Sequence, residues 1–183
     1  MSQAQADFIA KYNDVVQRLT AGTGIFPETI FAQAIVESQK NGLIPGTTLS
    51  TKYNNYFGIK DSSDWDGDVV NLSTGEVYNG VKTIETDGFR VYATPEDSFN
   101  DYIDFLQNNS RYANAGVFNA QNFTEQINDI ANAGYATNPG YAQLLNNVAN
   151  SISKFITPLN IGIGVFFVGI LLITFFYYYK QST

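Results

Sequence analysis

The sequence predicts an α+β domain, mainly helical with a small antiparallel β-hairpin lobe, followed by one transmembrane helix. Three observations predict it. Apolar residues recur at helical spacing in several segments, an Asn-Gly pair at 79–80 lies between extended runs, and residues 159–179 carry no charge.

Phe8, Ile9, Tyr12, Val15, Val16 and Leu19 place a first helix over 4–20, which the run AGTG at 21–24 breaks. A second helix is expected over 27–41. Pro27 suits its first position, Glu28 its first turn, and Gly42 its C-terminal end. At ~100° per residue, Ile30, Ala34 and Glu37 fall within roughly 60° of one another, and Phe31 and Ile35 widen that face into an apolar stripe. Residues 42–66 are rich in Gly, Pro, Thr, Ser and Asn and fit neither period, so they read as a long loop, and such a loop is usually functional.

β character follows. Val69, Val70 and Leu72 precede STG at 73–75, EVY at 76–78 and VKT at 81–83 flank Asn79-Gly80, and FRVY at 89–92 reads as a further strand or its approach. Thr94 then suits an N-cap, Pro95 the first helical position, and Asp97 the closing residue of a capping box. Phe99, Tyr102, Ile103 and Leu106 give that helix its apolar face. Further helices are expected over 122–132 and 139–156, the last striped by Tyr141, Leu144, Leu145, Val148, Ile152 and Phe155. The organisation is thus a domain over 1–152, a short linker or helix end at 153–158, a membrane span over 159–179 and a polar tail at 180–183.

Composition narrows the chemistry. The 183 residues, 44% hydrophobic and 15% aromatic, suffice for one domain with a core. A net charge of −7 argues against nucleic acid as a partner, because no basic stripe is present to replace phosphate counterions. With no cysteine and no histidine there is no disulfide framework, no Ser-His or Cys-His catalysis and no usual zinc site. Neither a metal nor a cofactor is expected. Hydrolytic chemistry here rests on carboxylates, tyrosines and amides.

Glu37, on the edge of an apolar helix face, is the first candidate. Its position alone favours a helix-flank glutamate reaching solvent, and it also fits a desolvated carboxyl whose raised pKa suits a general acid. Glycoside hydrolysis needs two carboxylates around a cleft. The hairpin offers Glu76 and Glu85, and the loop offers Asp61, Asp64, Asp66 and Asp68. Tyr53, Asn54, Asn55, Tyr56, Trp65, Tyr112, Tyr135 and Tyr141 crowd the loops and their borders. Aromatic faces stack on sugar rings and amides bond hydroxyl groups, although each aromatic taken singly also suits a core.

The segments AQAIVES at 32–38, NNYFGIK at 54–60, TGE at 74–76, FRVY at 89–92 and GYATNP at 134–139 occur in that order. Together they resemble the bacterial cell-wall endo-β-N-acetylglucosaminidase family, which includes the flagellar peptidoglycan hydrolase and many autolysin domains. The resemblance covers roughly 5–150. It implies a lysozyme-like fold and cleavage of the β-1,4 bond between N-acetylglucosamine and N-acetylmuramic acid in peptidoglycan. By position it makes Glu37 the general acid and Glu76 the second carboxylate, with Glu85 the fallback for that role. It makes Tyr135 the aromatic beside the scissile bond. Asn54, Asn55 and Phe57 would shape the glycan cleft, and Gly58 would allow tight backbone packing beneath it; Tyr56 and Trp65 join them as substrate-binding candidates from the aromatic crowding of the loop. The chain departs from the pattern where Gln39-Lys40-Asn41 stands in place of the usual Gly and aromatic, and where Asn138 replaces the usual Asp before Pro139.

The N-terminal MSQAQAD has neither a basic nor an apolar region and does not read as a signal peptide. Tyr177, Tyr178, Tyr179 and Lys180 fit an interfacial belt at the end of the span. Lys154 precedes the span and Lys180 follows it, so positive charge does not set its orientation. Two settings fit a hydrolase with a C-terminal anchor: the internal membrane of a bacteriophage virion, alongside other virion proteins, or a bacterial inner membrane with the domain facing peptidoglycan. A lytic transglycosylase and a non-catalytic wall-binding or structural virion protein remain the alternatives.

Overall fold

Eighteen residues of α1 (Gln3–Thr20) begin the chain's fold, held at their start by a reciprocal capping box between Ser2 and Gln5. The computed structural model describes residues 1–78 and 81–158, with the backbone alone for 74–78 and 81–84. The expected span at 159–179, the tail at 180–183 and the Asn79-Gly80 turn lie outside the described residues. Among the described residues, no helix is long and apolar enough to cross a membrane.

The centre of the fold is α2 (Pro27–Ser38). Thr29, Ile30, Phe31, Ala32, Gln33, Ala34, Ile35 and Ser38 are all buried, so the expected stripe is instead a helix enclosed on nearly every side. Its Phe26 N-cap has no side-chain acceptor of its own. Gln126, from the far end of the chain, supplies one: Phe26 N–H donates to its Oε1 at 2.9 Å, and its Nε2 donates to the carbonyls of Gly24 and Val117.

The helix also stops earlier than expected, at Ser38 rather than residue 41. Asn41 and Gly42 both take positive φ, and Lys40 and Leu43 exchange backbone hydrogen bonds across them. The Asn-Gly pair thus makes a tight two-residue turn instead of a helix cap, because that pair readily accepts two consecutive left-handed residues. The stretch after it is not wholly irregular either. Thr47 caps a short helix, α3 (Thr48–Lys52), by accepting from Ser50 N–H.

The hairpin is one continuous ribbon. β1 (Val69–Tyr78) pairs antiparallel with β2 (Val81–Arg90), from Val69 opposite Arg90 to Tyr78 opposite Val81. STG at 73–75 does not interrupt it, and of FRVY only Phe89 and Arg90 belong to a strand. The helices then resume with α4 (Pro95–Asn108), α5 (Ser110–Asn114), α6 (Phe123–Asn132) and α7 (Tyr141–Ile152). The Thr94–Asp97 capping box starts α4.

Two apolar clusters meet at α2. Phe8, Tyr12, Tyr56 and Phe99 interlock on one side, with ring centroids 5.0 to 6.4 Å apart. Ala32, Ile127, Tyr141, Leu145 and Ala149 close the other side, packing α7 onto α2. Both faces of α2 are therefore occupied, and its C-terminal turn carries Glu37 to the surface of this packing.

Candidate active site

Glu37 sits one residue from the end of α2, partly exposed where the helix leaves the core. Burial pushes its carboxyl above the usual range, and a hydrogen bond from Tyr141 opposes that rise. Tyr141 comes from the first position of α7, 104 residues away in sequence, and its hydroxyl donates to Glu37 Oε1 at 2.7 Å. Behind it, Gln33 Nε2 donates to the Tyr141 oxygen at 3.2 Å, and the Tyr102 hydroxyl donates to Gln33 Oε1.

An open cleft of about 400 Å³ lies beside the carboxyl. Its walls are Glu37, the 57–62 segment, Phe105, Arg111, Tyr135 and Ala136. Tyr135 is fixed twice: its hydroxyl donates to the Phe57 carbonyl at 3.0 Å, and its ring stacks on Tyr141 at 5.9 Å with a 10° tilt. The structure thus brings Glu37, Phe57 and Tyr135 together. Lys60 and Arg111 add two cations to this wall of an acidic protein. The Arg111 guanidinium lies over the Tyr112 ring and donates to its hydroxyl at 2.7 Å. Among the described residues, no group of three or more acidic side chains is arranged to hold a metal ion.

Other nominated residues have internal partners. Asn54 takes a positive φ and donates to the carbonyls of Tyr92 and Ala93. Asn55 is buried. It donates to the Ile59 and Arg90 carbonyls at 3.0 and 2.9 Å and accepts from Ile59 N–H at 3.1 Å. Tyr56 lies in the aromatic core, 3% exposed, with its hydroxyl 3.2 Å from that of Tyr12. These three side chains build the turn that presents Phe57 and do not line the cleft. Asn55→Ala strands three backbone groups and is expected to cost about 3 kcal/mol, measurable as a lower urea midpoint at unchanged slope. Gly58 has φ +66°, while a Cβ built there meets nothing within 4 Å. Its backbone angle needs glycine, and the expected tight packing beneath it is absent.

Trp65 lines a neighbouring hollow of about 510 Å³ with Arg90, Asp101, Asp104 and Phe105, the last shared with the cleft. Its ring lies 4.8 Å from the Arg90 guanidinium and 5.5 Å from Tyr92. Glu76 pairs with Thr83 in the ribbon and Glu85 with Thr74, so the two acidic positions stand two rungs apart. The Glu76 side chain lies outside the described residues. Gln33, Tyr141 and Arg111 were not anticipated as site residues in these roles. The spacing of Gln33 and Glu37, one helical turn apart, is the local signal that could have found the first of them.

The model of the glucosaminidase family, described as mannosyl-glycoprotein endo-β-N-acetylglucosaminidase, matches residues 13–154. Peptidoglycan hydrolase FlgJ of Pseudomonas aeruginosa is 35% identical over 127 residues, which are 68% of this chain and 32% of that protein. FlgJ of Vibrio cholerae is 35% identical over 108 residues, 59% of this chain and 32% of that protein. The chain therefore spans about a third of the length of these relatives. Among solved structures, a truncated glycoside hydrolase domain of Salmonella typhimurium FlgJ superposes with a TM-score of 0.61 at 29% identity, covering 82% of this chain and 98% of that one. The catalytic domain of the Listeria monocytogenes autolysin Auto superposes with a TM-score of 0.70 at 25% identity, covering 84% and 86%. A half-buried glutamate at the end of an enclosed helix, an aromatic-walled cleft beside it and a match over most of the domain agree: the chain belongs to the glucosaminidase family of glycoside hydrolases.

Proposed function

We propose that this chain cleaves the β-1,4 bond of peptidoglycan glycan strands, leaving N-acetylglucosamine at the new reducing end, with Glu37 as general acid. The observation that carries the reading is the Glu37 carboxyl, held by Tyr141 at the wall of an open cleft and pushed upward by burial. Its relatives' description as peptidoglycan hydrolases supports the choice of substrate. In the bond-breaking step the proton leaves Glu37 for the glycosidic oxygen. The C1–O bonding pair goes to that oxygen, and an oxocarbenium-like centre develops at C1. Glu76 is the second carboxylate, stabilising that charge or activating the water that completes hydrolysis. Tyr135 and Phe57 hold the sugar beside the acid.

Mass spectrometry of digested walls tests this. Reducing N-acetylglucosamine ends are expected. Anhydro-muramic ends would assign a lytic transglycosylase instead, and intact walls a binding or structural protein.

For location, the reading is a C-terminal anchor over 159–179, in a phage virion's internal membrane or a bacterial inner membrane. Its support is the uncharged run of 21 residues, roughly the ~30 Å needed to span a bilayer's hydrocarbon core. Protease protection in infected or expressing cells separates the settings: a domain found in the periplasm before lysis excludes the virion one.

A further inference from the structure

The acid is one end of a hydrogen-bonded chain whose direction is set inside the core. Gln33 and Tyr102 are both fully buried, so neither touches a substrate in the cleft. A side-chain amide has one accepting and one donating end. The Tyr102 hydroxyl donates to Gln33 Oε1, which turns Nε2 toward Tyr141, 3.2 Å away. The Tyr141 oxygen accepts there, and its own hydrogen goes to its other neighbour, Glu37 Oε1, at 2.7 Å. A carboxyl oxygen that receives a phenol hydrogen is not the one that carries the acid's proton. Oε2 of Glu37 has no protein hydrogen-bond partner among the described residues.

We propose that Gln33, set by Tyr102, is a positioning residue for catalysis: it orients the Tyr141 hydroxyl onto Glu37 Oε1 and so reserves the acid's proton for Oε2, the oxygen left for the substrate. This rests on the reading of Glu37 as the general acid.

The groups around the carboxyl are compatible with a chain of fixed direction. Tyr141 faces it from α7 and Tyr135 from the turn before α7. Tyr102 lies behind it on α4, and Tyr112 is near on α5. Burial pushes all four phenols upward, so each keeps its hydrogen in the range where the acid works. Lys60 and Asp61 from the segment after Phe57, and Arg111 from α5, line the same cleft. Without Gln33, the Tyr141 oxygen is free to accept from a protonated Glu37. That adds a favourable state only to the protonated acid and turns its proton away from the substrate.

Gln33→Met, with no polar group, and Tyr102→Phe, which deletes one hydroxyl, test the idea. Each is expected to lower kcat about tenfold with KM unchanged. Each is also expected to move the alkaline limb of the kcat/KM profile upward, by about one pH unit for Gln33→Met. A ¹³C titration of the Glu37 carboxyl in both variants reads the same displacement without using activity. If Gln33→Met does not fold, Tyr102→Phe decides. A limb and a titration that stay put or move down in the folded variants overturn the proposal, even if melting temperature or kcat falls. Wild-type turnover together with an inactive Glu37→Gln variant shows that the acid assignment itself stands, so the two failures are distinguishable.

Discussion

Glu37→Gln is expected to lower the rate of glycan cleavage by about a thousandfold or more, with wall binding retained. A general acid contributes about 10²–10⁴ to such reactions, and glutamine keeps the shape of the side chain while having no acidic proton to deliver. Tyr141 can still donate to the amide oxygen at the same position, so the local fold has no reason to rearrange. The substitution carries a second expectation, on stability. Burial raises the Glu37 pKa from its ordinary 4.5, so the folded state holds this proton at pH values where the unfolded chain has lost it. The stability associated with the neutral carboxyl is present below pH 4.5 and is lost as pH rises through the folded-state value. The variant should therefore melt with the wild type in acid and above it at neutral and alkaline pH. Muropeptide release and thermal melts across that range check the two parts. Equal release by variant and wild type would remove Glu37 from the mechanism.

Asp101→Ala is expected to cost about 3–5 kcal/mol, the loss typical of removing one partner from a buried ion pair. The Arg90 side chain is 8% exposed and bonds both Asp101 carboxylate oxygens, at 2.9 and 3.1 Å. It also donates to Ser62 Oγ at 2.6 Å, and the Tyr92 hydroxyl donates to Asp101 Oδ2 at 2.6 Å. Without the carboxylate, the buried guanidinium keeps only the exposed Asp64 carboxylate, 4.0 Å away, and a phenol loses its acceptor. Urea unfolding measures the loss. An Arg90→Met, Asp101→Leu double variant should recover much of it, because a well-packed apolar pair carries no such desolvation penalty. Arg90 ends β2, while Ser62 belongs to the cleft segment and Asp101 to α4, so the cluster fixes the base of the hairpin. The single variant should lose turnover at temperatures where it is still folded.

Much of this was legible locally. Helical spacing located α1 to within a residue, and Thr94, Pro95 and Asp97 announced where α4 begins. Asn79-Gly80 located the hairpin, and the edge position of Glu37 on its apolar face made it the first candidate for a general acid. What escaped depended on distant partners or on competing local signals. Asn41-Gly42 carries the same turn signal as Asn79-Gly80, yet the apolar period running into it favoured a longer helix. Asn54 and Asn55 have the side chains of a sugar-binding loop. Only the positions of the Ile59, Arg90 and Tyr92 carbonyls show that those amides are already engaged. The Tyr141–Glu37 contact joins residues 104 apart, and no periodicity encodes it. Trp65 is aromatic and close to the cleft in sequence, but the Arg90 guanidinium draws it into the next hollow.

At the far end of the domain, the Asn13 side-chain amide donates to both the carbonyl and the hydroxyl of Thr157, at 3.0 and 3.3 Å. The chain is thus fastened to α1 two residues before the uncharged run begins. In an anchored molecule that fastening removes any leash between enzyme and bilayer. A domain of this length is roughly 40 Å across, so its working radius is about its own diameter, and it cannot swing farther out. Under the proposed anchoring and activity, glycan would be trimmed only in the layer nearest the lipid. Lengthening the tether between 157 and 159 with a flexible insert should let the same enzyme clear wall material that it otherwise leaves intact.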